Sequence, residues 1–167
     1  MMKPHIRNEK QKLLNQKMQI LKDSKCIDIG RTCNLVWLHF KALNLDFCLD
    51  IQSAFRFSKD NEILITNSDI YEPKKIYHEN LDFDYEKFNW DIQGENRFDE
   101  WMDSRKSELI NSTVTDVSVS VHGDLYILFD NEVSLEIFNN SLDECWRFFE
   151  RHKKNHTVVK GATCMDE

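Results

Sequence analysis

Twice in this chain an arginine stands between aromatic residues just ahead of a short β-branched run, and the echo narrows the folds open to it. The first copy is Phe55-Arg56-Phe57, a polar loop from Ser58 to Glu62, then Ile63-Leu64-Ile65-Thr66. The second is Trp146-Arg147-Phe148-Phe149, a polar loop, then Thr157-Val158-Val159-Lys160. Upstream of each lies a run that alternates between apolar and polar: Leu45 to Ile51 in one case, Val133 to Ile137 in the other. Period-2 alternation belongs to strands with one wet face, the pattern of antiparallel sheets. The reading is one β unit used twice.

The rest of the chain fits around those units. From Lys3 to Ser24 the apolar positions fall at helical spacing. Leu14, Met18 and Leu21 make the stripe, Leu13 and Ile20 widen it, and lysines fill the other face. Ile27 to Gly30 leads into a strand-like run from Cys33 to Phe40, with a turn at Lys41 to Asn44. Asn67 to Pro73 carries strong turn chemistry. Residues 74–97 show no period. A second helix is predicted from Glu95 to about Ile110, with Phe98, Trp101, Met102, Arg105 and Leu109 on one face. Beyond it Thr115, Val117, Val119 and Val121 alternate with polar residues, then Leu125, Ile127 and Phe129, then Val133, Leu135 and Ile137. Asn131 is the residue expected to take positive φ in the turn before Val133, since that turn holds no glycine.

The expected fold is α+β: mostly antiparallel β, two pseudo-repeated β units, an N-terminal amphipathic helix and one central helix. The 167 residues are read as a single domain, with a first β unit at 26–73, an acidic and aromatic linker plus helix at 74–112, and a second β unit at 113–160. Whether the units share one sheet or build two stays open.

One resemblance goes with these residues. The run Leu49 to Phe57, then Ile63 to Ile65, then Asn67-Ser68-Asp69-Ile70-Tyr71-Glu72-Pro73, resembles a widespread group of bacterial proteins. In them an LxxQxxWR stretch is followed by VVGSxDxYxP and later echoed as WRxF…HxVV. Trp146 to Phe149 with His156 to Val159 resembles that echo, and Trp90-Asp91 and Asn96 to Asp99 resemble the joining segment. This chain has Phe55 where the group has Trp. The group carries no established activity, so the resemblance implies a fold pattern and no chemistry.

Charge sorts the candidate functions. Residues 1–25 hold seven Lys/Arg and two acids, a net of +5, while the remainder holds 15 bases and 27 acids, a net of −12. An acidic body repels nucleic-acid phosphates and favours basic partners. No apolar run approaches the ~18 residues of a membrane span, and no secretory signal is visible. Five scattered cysteines without a CxxC pair fit a reducing compartment, so the expected location is cytoplasmic. Cys33 and Cys48 are read as small hydrophobes within strand-like runs.

Four places could carry chemistry. Arg56 and Arg147, with Phe55 and Trp146 beside them, could grip a carboxylate or phosphate. Their repetition favours a structural role instead, each pairing with a strand carboxylate such as Asp50 or Glu136. His152 and His156 are spaced i, i+4, yet they lie in a Lys-rich loop with no metalloprotease glutamate, and no metal is expected there. Asp91, Glu95 and Asp99 could hold Mg²⁺ or act with Arg56 or Arg147 in a small-ligand or metal-dependent enzyme. However, no nucleophile motif or phosphate loop accompanies them, and no cofactor is expected. Finally, nine acids against two bases fall between Glu79 and Asp103, interleaved with aromatics. Tyr85, Trp90, Asp91, Glu95, Asp99, Glu100, Trp101 and Asp103 are the expected partner-binding residues. The leading expectation is a non-enzymatic cytosolic binding protein, in its most concrete form an immunity-type inhibitor of a basic toxin such as a nuclease. An oligomerising subunit that associates through the N-terminal helix is a further alternative.

Overall fold

The structure, a computed structural model, describes the backbone of residues 4–161 and 163–166 and the side chains of residues 9–161. It is α+β, with two antiparallel sheets and helices at the front and centre. The strands are β1 (Lys25–Thr32), β2 (Leu35–Ala42), β3 (Leu45–Ile51), β4 (Phe55–Lys59), β5 (Glu62–Thr66), β6 (Val114–Val119), β7 (Leu125–Phe129), β8 (Ser134–Ile137), β9 (Glu144–Glu150), β10 (His156–Lys160) and β11 (Thr163–Asp166). The helices are α1 (Pro4–Met18), the single-turn α2 (Lys75–His78) and α3 (Arg97–Leu109).

The two β units build two sheets between them, and neither unit has a sheet of its own. One sheet runs β1-β2-β3-β9-β10-β11 and the other β5-β4-β8-β7-β6. Each unit lays down a three-strand meander, then passes its next two strands to the sheet of the other unit. The exchange is held by β3 pairing with β9 and β4 with β8. Register makes the two joints equivalent. Leu49, Asp50 and Ile51 face Phe148, Arg147 and Trp146, just as Leu135, Glu136 and Ile137 face Phe57, Arg56 and Phe55.

The equivalence extends to the start of each unit. Asp23 and Asn111 both take a left-handed φ, 67° and 68°. Ser24 Oγ donates to Leu21 O, and Ser112 Oγ donates to Leu109 O. Lys25 and Thr113 form a lone bridge between the halves. Both first strands slip register near their start, β1 between Cys26 and Asp28 and β6 between Val114 and Asp116. Each repeat is therefore a helix followed by five strands, and α1 and α3 are counterparts.

The inner faces of both sheets and the inward stripes of α1 and α3 join in one hydrophobic cluster. Phe40 of β2 and Phe129 of β7 meet across it, ring centroids 6.5 Å apart. On α1 and the 3₁₀ turn Gln19–Leu21 that continues it, the predicted stripe of Leu14, Met18 and Leu21 is buried, while Leu13 and Ile20 stay exposed. α1 lies along the edge strand β6. Gln11 Nε2 donates to Val119 O, Asn15 Oδ1 accepts from Val119 N, and Gln19 Nε2 donates to Val117 O. These amides satisfy an edge that would otherwise offer its backbone to another chain.

Three local readings are corrected. Cys33 is exposed in the β1–β2 turn at φ 51°, because the first strand ends at Thr32 and a two-residue turn separates it from β2. The bulge in β6 turns Thr115 outward, so the buried set is Val114, Val117 and Val119, and Val121 is exposed because it lies past the end of the strand. Glu132, not Asn131, takes the positive φ before β8. Asn131 instead spends its side chain on bonds, its amide donating to Glu108 O and its carbonyl accepting from Val133 N.

Candidate functional site

The two repeated arginines lie on the outer faces of the two sheets, each in an ion pair. Arg56 Nε pairs with Glu136, its partner in register on β8. The Arg56 guanidinium also sits over the Phe138 ring, 5.5 Å from its centroid. Arg147 stands opposite Asp50, but its bidentate partner is Glu144 on its own strand, with Nε–Oε1 and Nη2–Oε2 both 2.8 Å. Those hydrogen bonds hold the Glu144 carboxyl below the usual carboxylate range. Asp50 is shifted the other way, since burial raises it more than the nearby Arg147 charge lowers it. Phe55 and Trp146 are core residues. His156 stacks on Phe149 at 4.2 Å and meets Arg147 Nη1 through Nδ1, while His152 is exposed in the turn before it.

The segment joining the repeats is irregular, and its rings pack largely on one another. Tyr77 stacks on Phe83 at 4.6 Å, and Phe83 meets Tyr85 edge-on at 4.8 Å. Polar bonds tie this cluster down. Tyr77 Oη donates to Glu95 Oε2 at 2.7 Å, and Tyr85 Oη lies 2.8 Å from His78 Nδ1. Trp90 is half-buried against the core, edge-on to Tyr71. Its carbonyl accepts from the side-chain amide of Asn96. What remains outside is mixed in character. Leu81 is fully exposed, and Ile76, Tyr85 and Ile92 are more than half exposed. Around them lie the exposed acids Glu79, Asp82, Asp84, Glu86 and Asp91.

The acids named from the sequence divide sharply. Asp91 and Asp103 are exposed. Glu100 is half-buried, and one carboxylate oxygen accepts from the Lys75 backbone N–H. Asp99 and Trp101 point inward and form no part of the surface. Asp99 receives Arg31 in a two-pronged ion pair, Nε–Oδ1 2.7 Å and Nη2–Oδ2 2.6 Å, with both side chains nearly sealed from solvent. Gly94 N donates to the same carboxylate at 2.7 Å. Trp101 stacks on Phe57 at 5.4 Å. Arg31 could not be found from local sequence, being 68 residues away. Asp99 itself had a signal: Asn96 caps α3 by accepting from Asp99 N, and an acid three residues after such a cap belongs to the helix start.

The three carboxylates of the enzyme reading do not converge. Asp99 is committed to Arg31, Glu95 accepts from Tyr77, and Asp91 is exposed. Among the described residues no three His, Cys, Asp or Glu side chains lie close enough to share a metal ion. Among them also, no helix is long and apolar enough to cross a membrane. The Cys26 thiol is buried and pushed up to about 12 by desolvation, so it is an uncharged core group. A scan of protein-family models finds no match to this chain, and neither do searches of curated proteins and of solved structures.

Proposed function

We propose that this chain is a non-enzymatic, cytosolic binding protein that docks a basic protein partner on the irregular segment between its two repeats. An immunity-type inhibitor that covers a basic toxin, such as a nuclease, is the most concrete form of this reading. The observation that carries it is the mixed outer surface of that segment. Leu81, Tyr85, Ile76 and Ile92 are exposed among five exposed acids from Glu79 to Asp91. The one base within that stretch, Lys87, is paired with Asp84 at 2.8 Å. Exposed aromatic and aliphatic groups supply buried anchors on binding, and the surrounding acids steer a cationic partner and set its approach rate. The binding set is accordingly Tyr85, Asp91 and the exposed edge of Trp90, with Glu95, Glu100 and Asp103 at the margin, Asp99 and Trp101 acting only as scaffold.

The test is co-purification with the product of the neighbouring gene, followed by stopped-flow association. The reading expects a stable complex whose on-rate falls with added salt. A triple charge reversal, Asp84→Lys, Glu86→Lys and Asp91→Lys, should slow association by about tenfold or more, because steering contributes 10-fold to 10³-fold to on-rates. Leu81→Ala and Tyr85→Ala should instead speed dissociation. An on-rate indifferent to both salt and charge reversal would remove the electrostatic basis of the proposal.

A further inference from the structure

We propose that the end of the six-stranded sheet where the β2–β3 and β9–β10 turns lie side by side docks on an anionic lipid bilayer. β3 and β9 run antiparallel with Phe47 opposite Glu150, so the turn before β3 and the turn after β9 project from the same end. The tip of the first is Leu43, 96% exposed and at φ 55°. A left-handed backbone disfavours leucine, and the β4–β5 turn fills such positions with Asp60 and Asn61. Leu43 is thus strained and bare at once, and its side chain touches almost nothing in its own chain. Leu45 and Ile20 are exposed at the same end.

Bases flank these apolar groups. Lys25 and Lys41 stand opposite each other where β1 begins and β2 ends, and Arg151, Lys153 and Lys154 lie in the β9–β10 turn. Lys17 of α1 lines one groove with Ile20, Lys153 and Lys154. All six bases are exposed. The acids nearby are fewer and less accessible. Asp46 and Glu150 are half-buried, and Asp46 is paired with Lys41 at 3.5 Å. The exposed Asp23 is offset by its neighbour Lys22, also exposed. Asp166 stands beyond β10, two strands from β9.

Shape and chemistry favour a bilayer over an acidic protein or a nucleic acid. Five of the six bases are lysines, point charges on flexible stems that suit a fluid layer of headgroups, whereas arginine forks serve fixed geometries. Leu43 crowns a projecting turn, so it can enter the headgroup boundary without a matching pocket, and a nucleic acid would gain nothing from it. An apolar insertion and a polybasic patch together supply the two signals that stable anchoring takes. The net charge of −7 is no obstacle. The acidic joining segment packs at the other end of β2, where Gln93 donates to Arg31 O and Arg31 donates to Ile92 O. β2 has eight residues, so it spans about 26 Å at a strand's rise per residue, roughly three screening lengths at physiological salt. The charge separation orients the molecule, with the segment proposed to take a basic partner facing away from the bilayer.

The test is sedimentation of the full chain with vesicles of phosphatidylcholine alone or of phosphatidylcholine mixed with phosphatidylserine. The expected result is binding to the mixed vesicles, weakened by added salt, and none to phosphatidylcholine. Lys153→Glu with Lys154→Glu should weaken binding by about tenfold or more, since each base near an anionic surface contributes several-fold. Leu43→Asn should weaken it by about threefold or more through lost apolar burial. That variant should keep or raise the thermal midpoint, because asparagine tolerates the left-handed backbone. Reversing Asp84, Glu86 and Asp91 to Lys should not reduce binding, which separates this surface from the one proposed for a basic protein. The proposal is overturned if the chain ignores the mixed vesicles, or if either the lysine reversals or Leu43→Asn leave binding unchanged. Retention on immobilised poly-glutamate without binding to vesicles would also overturn it, making an acidic protein the occupant.

Discussion

Asp99 and Asp103 sit four residues apart on α3, carry the same charge, and do opposite things. Asp103 is exposed to water, whereas Asp99 is sealed with Arg31 and holds the Gly94 N–H as well. Sequence chemistry cannot separate them, because both occupy an acid-rich run and the partner that pulls Asp99 inward lies on β1. Removing one member of a buried pair leaves the other charge unpaired, at a cost of about 3–5 kcal/mol. Asp99→Ala should therefore lower stability by that amount in urea denaturation, since Arg31 is left stranded. Asp103→Ala should change it by less than about 0.5 kcal/mol, as surface substitutions do. Equal effects would mean that the Arg31–Asp99 pair contributes nothing to holding the joining segment against β1.

At the level of elements, periodicity reveals which face of a helix is apolar but not what its polar face is for. The stripe of Leu14, Met18 and Leu21 is legible because burial demands spacing of three and four residues. Gln11, Asn15 and Gln19 follow the same spacing on an adjoining line, and their task is invisible until β6 is placed beside them. The β6 bulge was equally hidden: alternation alone puts Thr115 inside, and only the paired strand shows the slipped register. Replacing both Asn15 and Gln19 with Ala should cost about 1–3 kcal/mol, given ~0.5–1.5 kcal/mol per hydrogen bond. It should also uncover the β6 edge, so light scattering near the unfolding midpoint should rise relative to the parent chain. Lower stability without added scattering would show that these amides anchor α1 but do not guard the sheet.

For the whole molecule, the duplicated motif was readable because each copy obeys the same local demand: an apolar inner face, and an arginine outside opposite a carboxylate. The exchange of strands between sheets was not, since nothing local says that Leu49 meets Phe148 sooner than a residue of its own unit. The exchange has a mechanical consequence. β3·β9 and β4·β8 tie residues 45–59 to residues 134–150, whereas the span from Asn80 to Asn89 pairs with no strand of either sheet. Exposed, irregular segments are where proteases cut first. A single limited-proteolysis cut between Asn80 and Asn89 should therefore leave two fragments that co-elute as one particle with nearly unchanged near-UV circular dichroism. Each fragment alone should be unfolded, because it lacks two or three strands of each sheet, and mixing the two should restore the native spectrum. If either fragment held a cooperative thermal transition by itself, the two repeats would be separable units after all, and the interlocked architecture would not be what stabilises them.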